Sequence, residues 1–584
     1  MDPIRYTLTF PAPHTHYVHV RADIPSAGRE SIELSMAVWT PGSYLVREFS
    51  RHVEAVAAET ASGNPLRVEK TTKNRWRVAT NGARTVIVSY RVYGREMSVR
   101  TNWVEADFAL LNGAPTFITL ADLTPRPHEI AINPAEGWKR SVTALPPMNG
   151  GEHRYRAPDY DTVVDSPIVI GNPAVYDFEV DGKKHSLVNV GEGGVFDGAR
   201  AARDLEAIVK EDRRLWGFLP YDRYVFFNMI TESGGGLEHK NSTVLMTNRW
   251  STRTRRAYLS WLELASHEYF HAWNVKRLRP AELGPFDYEN ENITRSLWIA
   301  EGFTDYYADL QVLRAGLQTR EEYLEDLSST IELLQTTPGR LVQSAEMASF
   351  DAWIKYYRPD ENSNNTSISY YTKGTVVAFL LDAKIRKATN GAKSLDDVMR
   401  VAYEKFSGPR GYTPEQFRAV IEQVAGRSLQ GYWESTVEGT SELDYTEALD
   451  AFGLRFKVPA QQPADRASRP WLGMTTRNDN GRLVIAQVQR GSPADVAGLN
   501  VDDEILAIDD FRVRSDRLEN RLDQYKSGDK VSVLVARREQ LVRIPTTFGA
   551  EPQRAWRLEV NPAAPEAQRR LLDGWLRGEA GARA

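Results

Sequence analysis

Two histidines four residues apart, His267 and His271, with Glu268 beside the first, sit in the middle of a stretch whose apolar residues recur at helical spacing. Tyr258, Leu259, Trp261, Leu262, Leu264 and Ala265 upstream, and Phe270 and Trp273 downstream, form one apolar face, which predicts a buried helix. Residues four apart on a helix face the same way, so the two imidazoles meet at one point and Glu268 is carried beside them. The chain must therefore fold so that this helix lies under a cleft, hidden along its stripe and open at its histidines. Two core histidines satisfied by neighbouring carbonyls are the plainer alternative, and they leave Glu268 unexplained beside an apolar stripe. The HExxH pattern is that of a zinc hydrolase, with Glu268 placed to hold a water.

A catalytic zinc takes three protein ligands and keeps one position open. Some thirty residues on, Ser296 to Tyr307 reads as a second buried helix with two acids, Glu301 and Asp305, on one face. Glu301 is the expected third ligand. Asp305 is placed to accept the second ring N–H of a zinc-bound histidine, although a solvated acid would look the same. Asp287, Glu289 and Glu291 are rival ligands, but they lie among Gly, Pro, Asp and Asn without an apolar period, as a loop does. With one zinc per chain polarising a scissile carbonyl, Glu268 would act as the general base.

The stretch HEYFHAWNVKRLRP followed by WIAEGFTDYY resembles the glycyl aminopeptidase family of zinc peptidases, members of the gluzincin group, in which two histidines and a downstream glutamate hold the metal. TPGSYLVREFSRHV in the first hundred residues, GGGLEHKNS at Gly234 to Ser242, YYTKGTVVAF at Tyr370 to Phe379 and a PDZ-like segment near the end extend the resemblance over most of the chain. On pattern alone Tyr371 is a buried aromatic at a helix start. The resemblance instead implies an oxyanion donor, since the similar YxKG tyrosine of the large zinc aminopeptidases has that role. Gly234, Gly235 and Gly236 follow the strand-like run Tyr224 to Ile230, and glycines there let a substrate backbone approach and add as a strand. The run is similar to the GxMEN substrate strand of the related aminopeptidases, which makes Gly235 and Gly236 substrate-binding and Glu238 the anchor for a free α-amine; a hairpin turn with a solvated acid remains the plain reading of the residues. His239 stands where that relative has asparagine, and its role is open.

With 584 residues the chain exceeds one core and should divide into three to five domains. A net charge of −5 gives no case for a nucleic-acid partner, and no apolar run reaches the roughly 18 residues of a membrane span. The absence of cysteine excludes disulfides and thiolate chemistry and suits either the cytoplasm or the periplasm. Ile4 to Phe10 alternates like a strand and not like a leader, so the compartment stays open: cytoplasmic as the chain stands, periplasmic if a leader has been removed.

The expected fold is multidomain α+β. Short alternating runs up to about residue 170 predict an N-terminal all-β domain. His14, His16 and His19 fall there, but their spacing does not put all three on one strand face. A thermolysin-like α/β catalytic domain is expected over residues 171–341, opened by a helix from Gly198 to Trp216. Lys276, Arg277 and Arg279 read most simply as its solvated helix end, with a substrate-carboxylate role open. A helical domain follows over 342–458, with helices at Thr372 to Lys387, Ser394 to Phe406, Thr413 to Ala425 and Tyr445 to Phe452. After a linker around Pro459 to Pro470, residues 465–549 resemble a bacterial-type PDZ domain, in which Leu472, Gly473 and Met474 would offer backbone N–H groups to a peptide C-terminus. Residues 550–584 form a tail whose Leu571, Leu572, Trp575 and Leu576 invite a docked helix. Together these features predict a zinc aminopeptidase acting on peptides with a free N-terminus, with glycine or alanine first as the resemblance implies. A PDZ-assisted zinc endopeptidase and a peptide-binding scaffold with an inactive peptidase domain are the alternatives.

Overall fold

The computed structural model describes residues 1–457, 469–552 and 555–578. Alternation builds the N-terminal region. The strand Tyr17–Pro25 buries Val18, Val20, Ala22 and Ile24, and the residues between them face outward or lie half-buried. It lies between Ile4–Thr9 and Thr85–Tyr93 in a seven-stranded sheet, antiparallel except where Ile4–Thr9 runs parallel to His128–Asn133. Two four-stranded sheets complete this all-β domain.

The next sheet carries the chemistry. Ala174–Val180, Lys183–Val190, Arg223–Ile230, Ser242–Thr247 and Gly235–Glu238 follow one another in space, with Gly235–Glu238 antiparallel at the edge. Arg223–Ile230 and Ser242–Thr247 are buried almost throughout because both faces are covered. One face meets Leu110 and Val169 of the β domain through Val225, Phe227 and Val244. The other packs beneath the helices Gly198–Trp216 and Arg255–Phe270.

The remaining helices, among them Gly302–Arg314, Arg320–Thr336, Tyr370–Ala388, Leu395–Phe406, Pro414–Ala425 and Thr446–Phe452, share one apolar core with these two. Residues after 341 therefore extend the core of the catalytic layer.

Near the end of the chain lies a sheet formed by Met474–Asp479, Arg482–Val488, Glu504–Ile508, Phe511–Arg512, Lys530–Arg537 and Gln540–Thr547, with its own core and with Met474–Asp479 on the edge: the PDZ fold. Its connections are informative. Leu454–Phe456, before the module, pairs antiparallel with Leu558–Val560, after it, and the helix Glu566–Arg577 returns to the main body. There Trp575 is fully buried, stacks on Phe452 at 4.3 Å between ring centroids, and donates its indole N–H to the Tyr306 hydroxyl at 2.7 Å. The PDZ module is thus inserted into the main body. Of the stretch read as a linker, residues 458–468 lie outside the described residues.

Candidate metal centre and active site

The helix Arg255–Phe270 starts at Thr254, whose side chain accepts from the Ala257 N–H at 3.2 Å, and ends at the site. His267 and His271 lie one turn apart with their Nε2 atoms 3.0 Å from each other. Glu301 Oε2 stands 3.4 Å from the first and 3.1 Å from the second. Ligand atoms around a tetrahedral zinc with bonds of about 2.0–2.2 Å are about 3.3 Å apart, so this buried triangle fits a zinc ion. Each imidazole directs its other nitrogen elsewhere: His271 Nδ1–H donates to the Asn274 carbonyl at 2.6 Å, and His267 Nδ1 lies 2.7 Å from Asp305 Oδ1, at an angle off the hydrogen-bond line. Both Nε2 lone pairs therefore turn toward Glu301, as metal ligands require.

Glu301 is reached by a break. The predicted single helix is two, Leu297–Ala300 and Gly302–Arg314, with Glu301 at the joint. Gly302 and Gly374 allow two helices to cross backbone on backbone: a Cβ on Gly302 would lie 2.4 Å from Gly374 Cα, and one on Gly374 2.4 Å from the Trp298 carbonyl oxygen. That crossing sets the helix Tyr370–Ala388 beside the triangle and puts the Tyr371 ring 6.0 Å from that of His267. Burial, with the Glu301 charge adding to it, keeps the Tyr371 hydroxyl protonated far above its ordinary range. Tyr370 is fully buried behind Tyr371.

The edge strand Gly235–Glu238 lies against the same centre. A Cβ on Gly236 would fall 2.1 Å from Glu268 Oε1, so only glycine lets the strand run this close. Glu268 is buried, and burial pushes its carboxyl up to about 7. For Glu301 burial acts in the same direction, but the His271 and His267 rings outweigh it and hold that carboxyl below its usual range. Glu238, Glu268 and His271 also have ligand-type atoms within 4.8 Å of one another. They share His271 with the triangle, so this is the flank of one centre and not a second one. Glu238 is 4 % exposed, and its Oε1 has no hydrogen-bond partner.

Behind Glu238 stands Gly42 of the β domain, at φ 90°, where a Cβ would lie 2.4 Å from the Glu238 carboxylate. Its carbonyl accepts from the Tyr357 hydroxyl at 3.4 Å, and nearby Tyr44 meets the Trp353 and Tyr357 rings edge-on. Spacing could not have joined residue 42 to residue 238; the TPGSY segment entered the sequence reading only through resemblance.

Other candidates are placed differently. Glu289 forms a two-pronged pair with Arg75, Asp287 accepts from the Glu289 and Asn290 amides, and neither belongs to the triangle. His16 bonds the Val104 carbonyl, and His14 and His19 are exposed. The cations after the helix are not a solvated end: Lys276 pairs with Asp165 at 2.9 Å, Arg277 donates to the Ala272 and Lys240 carbonyls, and Arg279 lies over Phe286. They differ from the expectation because Asp165, the Lys240 carbonyl and the Phe286 ring, all distant in sequence, meet them there. His239 is buried with Nδ1 3.3 Å from Asp165. In the PDZ module Gly473, at φ 70°, lies between buried Leu472 and Met474, the first residue of the edge strand.

Sequence families match in three places: the Peptidase M61 N-terminal domain over residues 5–172, the M61 glycyl aminopeptidase over 260–377 and the PDZ domain over 470–547. Among solved structures, an aminopeptidase N family protein from Idiomarina loihiensis is 30% identical, with a TM-score of 0.90 over 98% of this chain and 100% of that one. The chain belongs to the M61 glycyl aminopeptidase family. It is a metallopeptidase of the zinc aminopeptidase class. Two more distant solved structures that the chain is similar to are an M1 zinc metallopeptidase from Deinococcus radiodurans (13% identical, TM-score 0.45, 76% of this chain and 95% of that one) and yeast LTA4 hydrolase (12% identical, TM-score 0.45, 77% of this chain and 70% of that one). No curated protein matches the chain.

Proposed function

We propose that this M61 metallopeptidase removes single residues, small ones such as glycine or alanine, from the free N-terminus of peptides. The observation that carries the proposal is Glu238: a buried carboxylate with an unpartnered oxygen is costly unless a cation meets it, and it lies on the flank of the metal triangle with the β-domain loop closed behind it. A substrate ammonium supplies that cation. The loop at Gly42 stands directly behind the Glu238 carboxylate, which favours cleavage from the end over internal cuts.

His267, His271 and Glu301 would hold zinc, which when bound polarises the scissile carbonyl and acidifies water. Glu268 takes the water's proton and passes it to the leaving amine. Tyr371 donates its hydroxyl to the oxyanion of the attacked carbonyl. Asp305 orients His267. The substrate backbone pairs along Gly235–Glu238 with its amine at Glu238, so residues downstream run toward Ser233, where Gly234, Trp250, Trp261 and Leu264 line a cavity of about 530 Å³. The PDZ edge strand and the Leu472–Met474 loop would take a peptide C-terminus.

The test is mass spectrometry of products from matched peptides, free and N-acetylated, incubated with zinc-loaded protein and with Glu268→Gln as control. Stepwise loss of the first residue from the free peptide alone is expected. Internal cuts in both peptides would replace this reading with the endopeptidase, and no cleavage of either by zinc-loaded protein would leave the peptide-binding scaffold.

A further inference from the structure

Asn274 and Val275 follow the zinc helix and do nothing in the proposed chemistry, yet both are built unusually. Asn274 is fully buried and faces both arms of the metal triangle. Its carbonyl accepts the His271 Nδ1–H at 2.6 Å. Its side-chain amide donates to the Ile299 carbonyl at 3.1 Å, the Ala300 carbonyl at 3.2 Å and the Thr304 hydroxyl at 3.1 Å, the residues that flank Glu301. One residue thus holds the ring of one ligand and the backbone turn that delivers another.

Val275 has φ 135°, a region closed to β-branched residues unless their surroundings force them into it. The plane of the 274–275 peptide is set by ψ of Asn274 and φ of Val275, so this strained torsion aims the carbonyl at His271. A relaxed φ at Val275 would swing the oxygen away from the ring and cost the imidazole the acceptor that fixes its tautomer.

We infer that Asn274 is the positioning residue that couples His271 to Glu301, and that with the strained Val275 peptide it presets the triangle for zinc before the metal arrives. The inference rests on His267, His271 and Glu301 being the zinc ligands. Without the clamp the Glu301 turn and the His271 ring move independently, and zinc binding must then order both.

The experiment is a competitive zinc titration of metal-free full-length protein against a chromophoric chelator, for wild type and Asn274→Ala, with thermal midpoints of both proteins in the metal-free and zinc-loaded forms. Wild type should bind one zinc, and Asn274→Ala should bind it about 10–100-fold more weakly, the usual loss when a partner behind a metal ligand is removed. The gap between the two midpoints should also be wider with zinc than without it. An unchanged zinc affinity with a lowered metal-free midpoint would overturn the inference and make Asn274 an ordinary buried amide. Should Asn274→Ala not accumulate as folded protein, Val275→Gly removes no hydrogen bond and frees the same torsion: weaker zinc binding there supports the inference and unchanged binding overturns it. If wild type itself takes up no zinc, the ligand assignment fails first, a result distinguishable from failure of the clamp.

Discussion

Glu238 has what an amine anchor needs and a structural acid does not: burial with an oxygen left unpaired. A hydrogen bond to a charged group contributes about 1.5–3 kcal/mol, and 1.4 kcal/mol is a factor of ten. Glu238→Gln should therefore lower kcat/KM for free-amine peptides about 10–100-fold without lowering the thermal midpoint, because Oε1 has no hydrogen bond to lose. Steady-state kinetics beside a melting curve check both halves; equal kinetics would remove Glu238 from the site. At this scale the sequence was most legible where helical spacing applies: His267, Glu268 and His271 could be grouped from their own numbering. Gly42 behind Glu238, and Asn274 bridging to Ile299 and Ala300, could not, since nothing local in either segment marks its distant partner.

Between elements, the crossing at Gly302 and Gly374 fixes how Glu301 and Tyr371 face each other. Gly374→Ala would press a methyl onto the Trp298 carbonyl, and overpacking of that kind costs about 1–3 kcal/mol. A lower thermal midpoint together with reduced zinc retention is expected, measured by calorimetry and metal analysis of the purified variant. A second joint, between the helices Gly198–Trp216 and Gly302–Arg314, holds Asp212, which accepts from Gln311 Nε2 at 2.9 Å. Burial pushes the Asp212 carboxyl up to about 8, against an ordinary value of 3.8. The unfolded chain releases this proton near pH 4 and the folded protein keeps it to about 8, so the folded state binds the extra proton across that interval. Stability therefore falls as pH rises through it and levels off above. Asp212→Asn should flatten the midpoint-versus-pH curve between pH 5 and 8 and exceed wild type at pH 8; an unchanged slope would show that Asp212 ionises freely. Helix limits themselves were legible, Gly198–Trp216 from its amphipathic period and Tyr370–Ala388 nearly so. The break at Glu301 was not, because the apolar period runs through it and only packing against Gly374 reveals it.

For the whole molecule, the sequence indicated the β domain, the zinc layer and the PDZ fold through their periods and turn residues, but not how the helices after 341 merge into one core with the zinc layer. Nor did it indicate that the chain leaves for the PDZ module and returns beside its own exit, since the pairing of Phe456 with Leu558 spans the whole module. Replacing residues 458–555 with Asn-Gly, which with Trp556 makes a three-residue connection between Lys457 and Arg557, should close that ribbon and leave zinc content, cleavage of a short peptide and the thermal midpoint close to wild type. Collapse of all three would show that the main body depends on the module.

The return of Trp575 to a place beside Tyr306, next in sequence to Asp305, makes the helix Glu566–Arg577 part of the core that backs the zinc layer. A stop codon placed just past the PDZ fold would read as a harmless trimming and act as the loss of a core tryptophan, about 3–5 kcal/mol before any helix contact is counted. A nascent chain lacks Trp575 from its zinc layer until the helix Glu566–Arg577 has left the ribosome, so the PDZ module is made before the peptidase core can close.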